Sequence, residues 1–208
     1  MSIHLYFFRH GQTDWNLEGR IQGKNDVPLN DTGRAQAHRL VRPLSRVKIQ
    51  ALISSDLSRA RETAEIVAGQ KQVHCEIKLD SRLREAGFGK VEGMTRQEVM
   101  ALLGEEKGQQ IRDVPMGIAM AQHLGAEQAQ HVTSRVWDAV REYLSENPHR
   151  KILGVSTHGG VIRRMLHELL GDEKFPPPIS NGAVYGMRVV DSDWKKIEVL
   201  THLPWEKH

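Results

Sequence analysis

The chain predicts an α/β fold, a three-layer sandwich whose mostly parallel central sheet carries helices on both faces and ends in a C-terminal hairpin. Three observations lead there. Short apolar runs rich in β-formers alternate with stretches whose apolar residues recur at helical spacing, the pattern of strand-helix-strand units around a parallel core. Several of those runs end in ionisable residues followed by glycine, which is how open α/β sheets present chemistry at the carboxyl ends of their strands. Near the end, two alternating runs at 183–190 and 195–202 flank Asp191-Ser192-Asp193 and read as a hairpin, which makes the sheet mixed.

At 208 residues the chain is long enough for one sizeable core and short for two, so a single domain over 1–208 is expected. Apolar content of 39% and charged content of 26% fit an ordinary soluble globular protein. The net charge of +3 is slight, spread along the chain and does not argue for nucleic acid or membrane binding, so neither is expected as a partner, whereas a locally basic cleft suits an anionic substrate. A single cysteine, Cys75, forms no intramolecular disulfide and favours a reducing compartment; in Val73-His74-Cys75-Glu76-Ile77 its expected job is packing. Met1 to Phe8 lacks the basic start and apolar length of a signal peptide, and no run approaches the roughly eighteen apolar residues of a membrane span, so a cytoplasmic location is expected.

Taken in order, Ile3, Leu5, Tyr6, Phe7 and Phe8 make a buried first strand that breaks into Arg9-His10-Gly11. Residues 17–30 are polar and Gly-rich, with Pro28 near their close, and read as an ordered loop. Asp31-Thr32-Gly33 offers N-capping oxygens to a helix with Ala37, Leu40, Val41 and Leu44 at helical spacing, which Pro43 should end or kink. Ala51-Leu52-Ile53 is a second strand, followed by a cap at Asp56 or Ser58 and a helix to Ala68 stopped by Gly69. Arg59 therefore lies in a first helical turn, where a cation opposes the helix dipole and points to an anion nearby. A third strand is expected over 73–79 and a short helix over 95–103 with a capping box from Thr95 to Glu98. Residues 104–125, interrupted by Pro115 and Gly117, read as a variable cap with a short helix. The clearest helix is 128–147, with Val132, Val136, Val140 and Leu144 spaced by four. A buried strand at 151–156, a helix at 160–170 closed by Gly171, and a rigid turn at Phe175-Pro176-Pro177-Pro178 precede the hairpin.

Ionisable residues gather at four of these junctions: Arg9-His10-Gly11 on to Asn16, the stretch 54–63 containing Arg59, Leu83-Arg84-Glu85, and Ser156-Thr157-His158-Gly159-Gly160. Taken singly, each has a plainer use, with Arg9-His10 as a basic strand end, Glu85 as a solvated loop carboxylate, and Arg61 and Glu62 as helix-face charges. Together and in this order they resemble the histidine phosphatase superfamily, the phosphoglycerate mutase-like proteins. The resemblance runs from Leu5 to about Val190.

Phosphoryl transfer needs a nucleophile, donors for three phosphate oxygens and an acid for the leaving oxygen. His10 is the candidate nucleophile, a neutral imidazole whose pKa Arg9 and Arg59 should lower and one of whose ring nitrogens should donate to a backbone carbonyl. Arg9 and Arg59 supply planar forks that fit phosphate. His158, if protonated, adds charge beside it, and the amides of Gly159 and Gly160 open a helix whose dipole favours an anion. Thr13 and Asn16 can donate hydrogen bonds to the same group. Glu85 is the candidate proton donor, its pKa expected to rise beside a phosphate so that it can protonate the leaving alkoxide and then activate water.

The resemblance implies the same roles for Arg9, His10, Arg59, Glu85 and His158. It also implies substrate-facing positions at Gln22, Gly23 and Arg61. Glu127, in Gly125-Ala126-Glu127-Gln128, loosely resembles a family Gly-Glu-Ser stretch, which raises a second acid or cap role for it. Asn181 reads as a turn residue or as part of the pocket rim, and His4, His38, His123, His131 and His167 as surface groups. The choice within the family is phosphatase against cofactor-dependent mutase. The stretch 86–95 after Glu85 looks like the phosphatase branch, lacking a run of basic substrate clamps. A divalent-metal site on His10, His158 and Glu85 is the alternative from another class, with Arg9 and Arg59 against it, and a non-catalytic phosphate-binding module is a third. No cofactor and no metal are expected; the partner is a small phosphorylated metabolite, and the long helix and the edge hairpin each offer a surface for a homodimer.

Overall fold

Ile3, Leu5 and Phe7 point to one side of the first strand and Tyr6 and Phe8 to the other, and all five are buried, so this strand lies inside a sheet covered on both faces. The computed structural model describes residues 2–71, 73–103, 124–171 and 179–200. Along them run β1 (Ile3–Arg9), α1 (Asp14–Leu17), α2 (Asp31–Arg46), β2 (Ala51–Ser54), α3 (Ser58–Ala68), β3 (Ile77–Leu79), α4 (Arg96–Leu103), α5 (Ala129–Glu146), β4 (Ile152–Thr157), α6 (Gly159–Leu170), β5 (Val184–Val189) and β6 (Ile197–Val199). The six strands form one sheet in the order β3-β2-β4-β1-β5-β6. The first four are parallel, and β5 and β6 are added antiparallel as the expected hairpin, turned at Val190–Ser192 where Asp191 and Ser192 take positive φ. The expected α/β sandwich with a mixed sheet is the architecture observed.

Each face of the sheet has its own core. Ile3, Leu5 and Phe7 pack with Val132, Val136 and Val140 of α5 and with Val161, Ile162 and Met165 of α6. Tyr6 and Phe8 pack with Leu40 and Leu44 of α2 and with Val67 of α3. The register decides where chemistry collects. Arg9 is paired with Thr157 and Ser54 with Ser156, so β1, β4 and β2 end at one level and deliver His10, His158 and Ser55 side by side.

Several local expectations need correction. The third strand is only Ile77–Leu79, because its pairing with Leu52, Ile53 and Ser54 would, continued backward, set 73–75 against 48–50, the turn out of α2 where Lys48 has φ 55°. Asn30, not Asp31 or Thr32, caps α2, its side-chain oxygen accepting the Gly33 N–H at 2.9 Å. Pro43 does not end α2, which continues to Arg46: losing one hydrogen bond is outweighed where Leu40 and Leu44 anchor the same face in the core. Neither Asp56 nor Ser58 caps α3. Asp26, from the loop before α2, accepts both the Ser58 N–H and its hydroxyl at 2.7 Å, placing a carboxylate at the positive end of that helix. Asp56 instead pairs with Arg84. The Thr95–Glu98 capping box and the Gly171 stop of α6, at φ 78°, are as expected. The cap over 104–123, the turn at 175–178, His123 and the end of the last strand at 201–202 lie outside the described residues. Among the described residues no helix is long and apolar enough to cross a membrane.

Candidate active site

The loop after β1 can turn sharply only because backbone meets backbone there. A Cβ on Gly11 would sit 2.2 Å from the Gly33 carbonyl oxygen, and one on Gly33 would sit 2.1 Å from that of Gln12, so the two glycines pack the loop directly on the first turn of α2. Next in that loop, Thr13 and Asn16 form a reciprocal capping box around α1. The Asn16 side-chain oxygen accepts from the Thr13 N–H and from Asn181 Nδ2, which leaves its amide group as the free donor. Asn181 also donates to the His10 carbonyl at 3.1 Å, so it braces the loop from the β5 side.

His10 is buried, and its Nδ1 lies 2.6 Å from the Gly11 carbonyl oxygen. A carbonyl can only accept, so Nδ1 carries the proton and Nε2 is the bare nitrogen of the neutral ring. Burial, then the Arg9 and Arg59 cations, hold the His10 pKa well below 6.5, against a smaller opposing pull from the Gly11 carbonyl. The expected carbonyl partner and lowered pKa are both present.

Arg59 is fully buried, though it carries a charge. The carbonyls of Asn25 and Gly23 accept from its Nη1 and Nη2 at 2.7 and 2.8 Å, and burial lowers its pKa to about 10, against the raising pull of Glu85 and Asp26. It is therefore a cation at neutral pH. Arg9 donates to the Ile179 carbonyl at 2.5 Å. The Nε of each arginine and the Nδ1 of His158 are buried without a protein partner. Gln22 Oε1, Arg150 Nε and Arg164 Nε are in the same state, so an unpaired atom alone does not mark a site; Arg9 and Arg59 stand out because both are cations that also line one cavity.

His158 stands at the N-terminus of α6, its ring centroid 5.2 Å from that of His10. Its Nε2 is 2.9 Å from Ser55 Oγ, which also accepts the Leu57 N–H. The sequence reading allows His158 a positive charge; burial, then Arg59, His10 and Arg9, hold it well below 6.5 and so neutral in the protein alone. If Ser55 donates to Nε2, the ring proton sits on Nδ1 as a donor.

Glu85 is half-buried on the loop after the turn Ser81–Leu83. Its Oε1 accepts its neighbour Ala86 N–H at 2.8 Å and its Oε2 the Gly160 N–H at 2.9 Å. A Cβ at 160 would lie 2.5 Å from Oε1, so glycine at that position lets the carboxylate reach the helix terminus.

Arg9, His10, Asn16, Gln22, Gly23, Arg59 and Glu85 line one cavity of about 220 Å³, together with Arg20, Ile21 and Phe88, which sequence reasoning had not singled out. Thr13, His158 and Gly159 are not in that lining: Thr13 Oγ1 caps α1, His158 stands beside His10 with its ring centroid 5.2 Å away, and Gly159 opens α6 against Arg9. Arg61 is exposed on α3, 3.4 Å from Glu65, which fits the helix-face reading and not a substrate-facing one. Glu127 is not in the lining either. Burial works against its charge, but Arg135 and the Gly87 N–H outweigh this and hold its pKa at about 2, so it is a carboxylate and no proton donor. Ser55 and Arg135 were missed because their partners lie 103 and about 50 residues away in sequence, with no local signal. Among the described residues no group of three or more His, Cys, Asp or Glu is arranged to hold a metal ion.

The chain is 36% identical over 169 residues to "Probable phosphoglycerate mutase GpmB" of Salmonella paratyphi A, covering 81% of this chain and 75% of that protein. It is 35% identical over 204 residues to phosphoglycerate mutase-like protein 4 of Arabidopsis thaliana, covering 94% and 84%. Among solved structures, YhfR of Bacillus stearothermophilus superposes with a TM-score of 0.78 at 32% identity, covering 94% of each chain. A mycobacterial glucosyl-3-phosphoglycerate phosphatase superposes at 0.81 and 25%, covering 96% and 97%. The family model of the histidine phosphatase superfamily (branch 1) matches residues 5–199, and the chain belongs to that superfamily.

Proposed function

We propose that this chain is a phosphatase that hydrolyses small phosphate monoesters through a phosphohistidine on His10, with Glu85 as proton donor. The observation that carries the reading is a neutral His10, its Nδ1 proton held by the Gly11 carbonyl, in one cavity with two buried guanidinium groups whose Nε atoms have no protein partner. In the first step Nε2 attacks phosphorus, the bond to the leaving oxygen breaks, and Glu85 gives that oxygen its proton. In the second, water attacks phosphorus, Glu85 takes the water's proton, and the N–P bond breaks to release phosphate and neutral His10. Arg9, Arg59, the Asn16 amide and Nδ1–H of His158 stabilise the equatorial oxygens. Ile21, Phe88 and Arg20 would meet the organic part of the substrate.

A mutase is the second reading, favoured by the names of the two curated relatives. Both readings are tested by phosphate release from a panel of monoesters, with and without chelator, for the parent and His10→Ala. Chelator-insensitive hydrolysis that falls by at least about 10³-fold in the variant is the expected result, in keeping with loss of a covalent nucleophile. Activity retained by the variant would remove His10 from the mechanism. Exchange of phosphate between phosphoglycerates without net hydrolysis would replace phosphatase with mutase, and loss of activity with chelator would favour a metal site.

A further inference from the structure

Arg135, on α5, does not line the cavity, yet three of its donors are committed to the loop that carries Glu85 and the other two to Glu127. A guanidinium has five N–H bonds. Here Nε donates to Glu127 Oε1 at 2.8 Å and Nη2 to Glu127 Oε2 at 3.1 Å. The second Nη2 donor meets the Glu85 carbonyl at 3.2 Å. Nη1 donates to the Arg84 carbonyl at 2.8 Å and to the Arg82 carbonyl. Five donors thus meet five acceptors, three of them main-chain carbonyls from four consecutive residues. Glu127 then closes the circle by accepting the Gly87 N–H at 3.1 Å, and its own N–H donates to the Gly87 carbonyl at 2.7 Å. The pair is sheltered, with side chains 12% and 8% exposed.

We propose that Arg135, oriented by Glu127, is a positioning residue for proton transfer: it fixes the backbone on both sides of Glu85 and so aims that carboxyl at the leaving oxygen. This rests on the reading of Glu85 as proton donor. The geometry explains why the carrier is an arginine, since an ammonium has three donors and no planar fork and would leave at least two of the five acceptors unmet. The same clamp reaches the phosphate cradle. Lys24 Nζ lies 3.4 Å from Glu127 Oε2, in the loop whose Gly23 and Asn25 carbonyls hold Arg59.

The test compares Arg135→Lys and Glu127→Gln with the parent on two substrates, an alkyl phosphate, whose leaving group needs a proton, and 2,4-dinitrophenyl phosphate, whose leaving group does not. A misplaced acid should cost about 10- to 100-fold in kcat/KM on the alkyl ester and under about 3-fold in kcat/KM on the aryl ester, because kcat/KM reports the phosphorylation step, whereas the water-activating role of Glu85 acts on a phosphohistidine common to both esters. In a Glu85→Gln background, adding Arg135→Lys should then cost the alkyl reaction no more than about 2-fold, because the two act as a unit. Equal losses on both esters, or losses that multiply in the double variant, would overturn the proposal in favour of a general structural role. Should Arg135→Lys fail to fold, Glu127→Gln, which keeps shape and loses charge, must give the same leaving-group dependence. Glu85→Gln alone tests the underlying reading: if it hydrolyses the alkyl ester like the parent, Glu85 is not the donor and the positioning claim falls with it. If Glu85→Gln is impaired and Arg135→Lys is not, only the positioning claim falls.

Discussion

Ser55 and His158 illustrate how one hydroxyl can set the chemistry of a ring. With Nε2 facing Ser55 Oγ at 2.9 Å, a neutral His158 that accepts from this hydroxyl carries its proton on Nδ1, and on the proposed reading it would serve as a dipole and not as a charge. Ser55→Ala removes that choice of tautomer and strands a buried nitrogen, at a cost of about 1–3 kcal/mol or roughly 5- to 150-fold in kcat/KM. Steady-state kinetics on the parent and the variant check this, and an unchanged kcat/KM would mean that the hydroxyl is not what orients the ring. Legibility differs sharply between residues at this scale. His10, Arg59 and His158 stand out because each follows a strand run or opens a helix, a pattern local to a few residues, whereas Glu85 lies in a loop and stands out only by its place in the order of the four stretches. Ser55 sits in the same kind of junction but looks like any serine until β2 and β4 are paired, and Arg135 looks like one more polar residue on the outer face of a long helix.

At the scale of elements, the contact between the loop after β1 and the first turn of α2 sets two principles against each other. Alanine in place of a helical glycine should gain about 1 kcal/mol from propensity. At Gly33, however, the added Cβ would lie 2.1 Å from a main-chain oxygen, which must move by more than an ångström to relieve it. Overlap wins, since backbone cannot rotate away as a side chain can, and overpacking of this kind typically costs about 1–3 kcal/mol. Gly33→Ala should therefore lower the midpoint of thermal unfolding and depress activity, because Gln12 follows the Gly11 carbonyl that holds His10. A raised midpoint with full activity would show that the loop yields freely. The capping of α3 has the same long-range character. Its sequence start looked self-capped, but Asp26, 32 residues earlier, does the work, and local reading has no access to a cap delivered by a distant loop. Where the cap is local, as in Thr95 and Glu98, sequence and structure agree.

For the whole molecule, two buried imidazoles make stability depend on pH. His10 and His158 have folded pKa values well below the ordinary 6.5, so on acidification the unfolded chain binds protons that the folded one does not. Stability should fall as pH drops below about 6.5, by up to about 1.4 kcal/mol per pH unit for each group. Glu127 is lost from the balance only much lower, as pH falls from its ordinary range through about 2. Urea denaturation between pH 7 and 5 checks this: the parent should lose stability more steeply than His10→Ala, and parallel curves would mean that His10 binds protons equally in both states. The overall architecture was legible because alternation of strand and helix is written along the chain, while the short β3 was not, since its length is set by where β2 begins. The sheet order has one more consequence, for the chain as it is made. β1 leaves the ribosome first, and its two neighbours, β4 and β5, are completed only near residues 157 and 189. At roughly 5–20 residues per second this apolar strand waits about 7–30 seconds for β4 and about 9–36 seconds for β5. Until then the nascent chain carries Arg9, His10, Arg59 and Glu85 without the strands that align them, so on the proposed reading the site assembles only once β4 and β5 have been made.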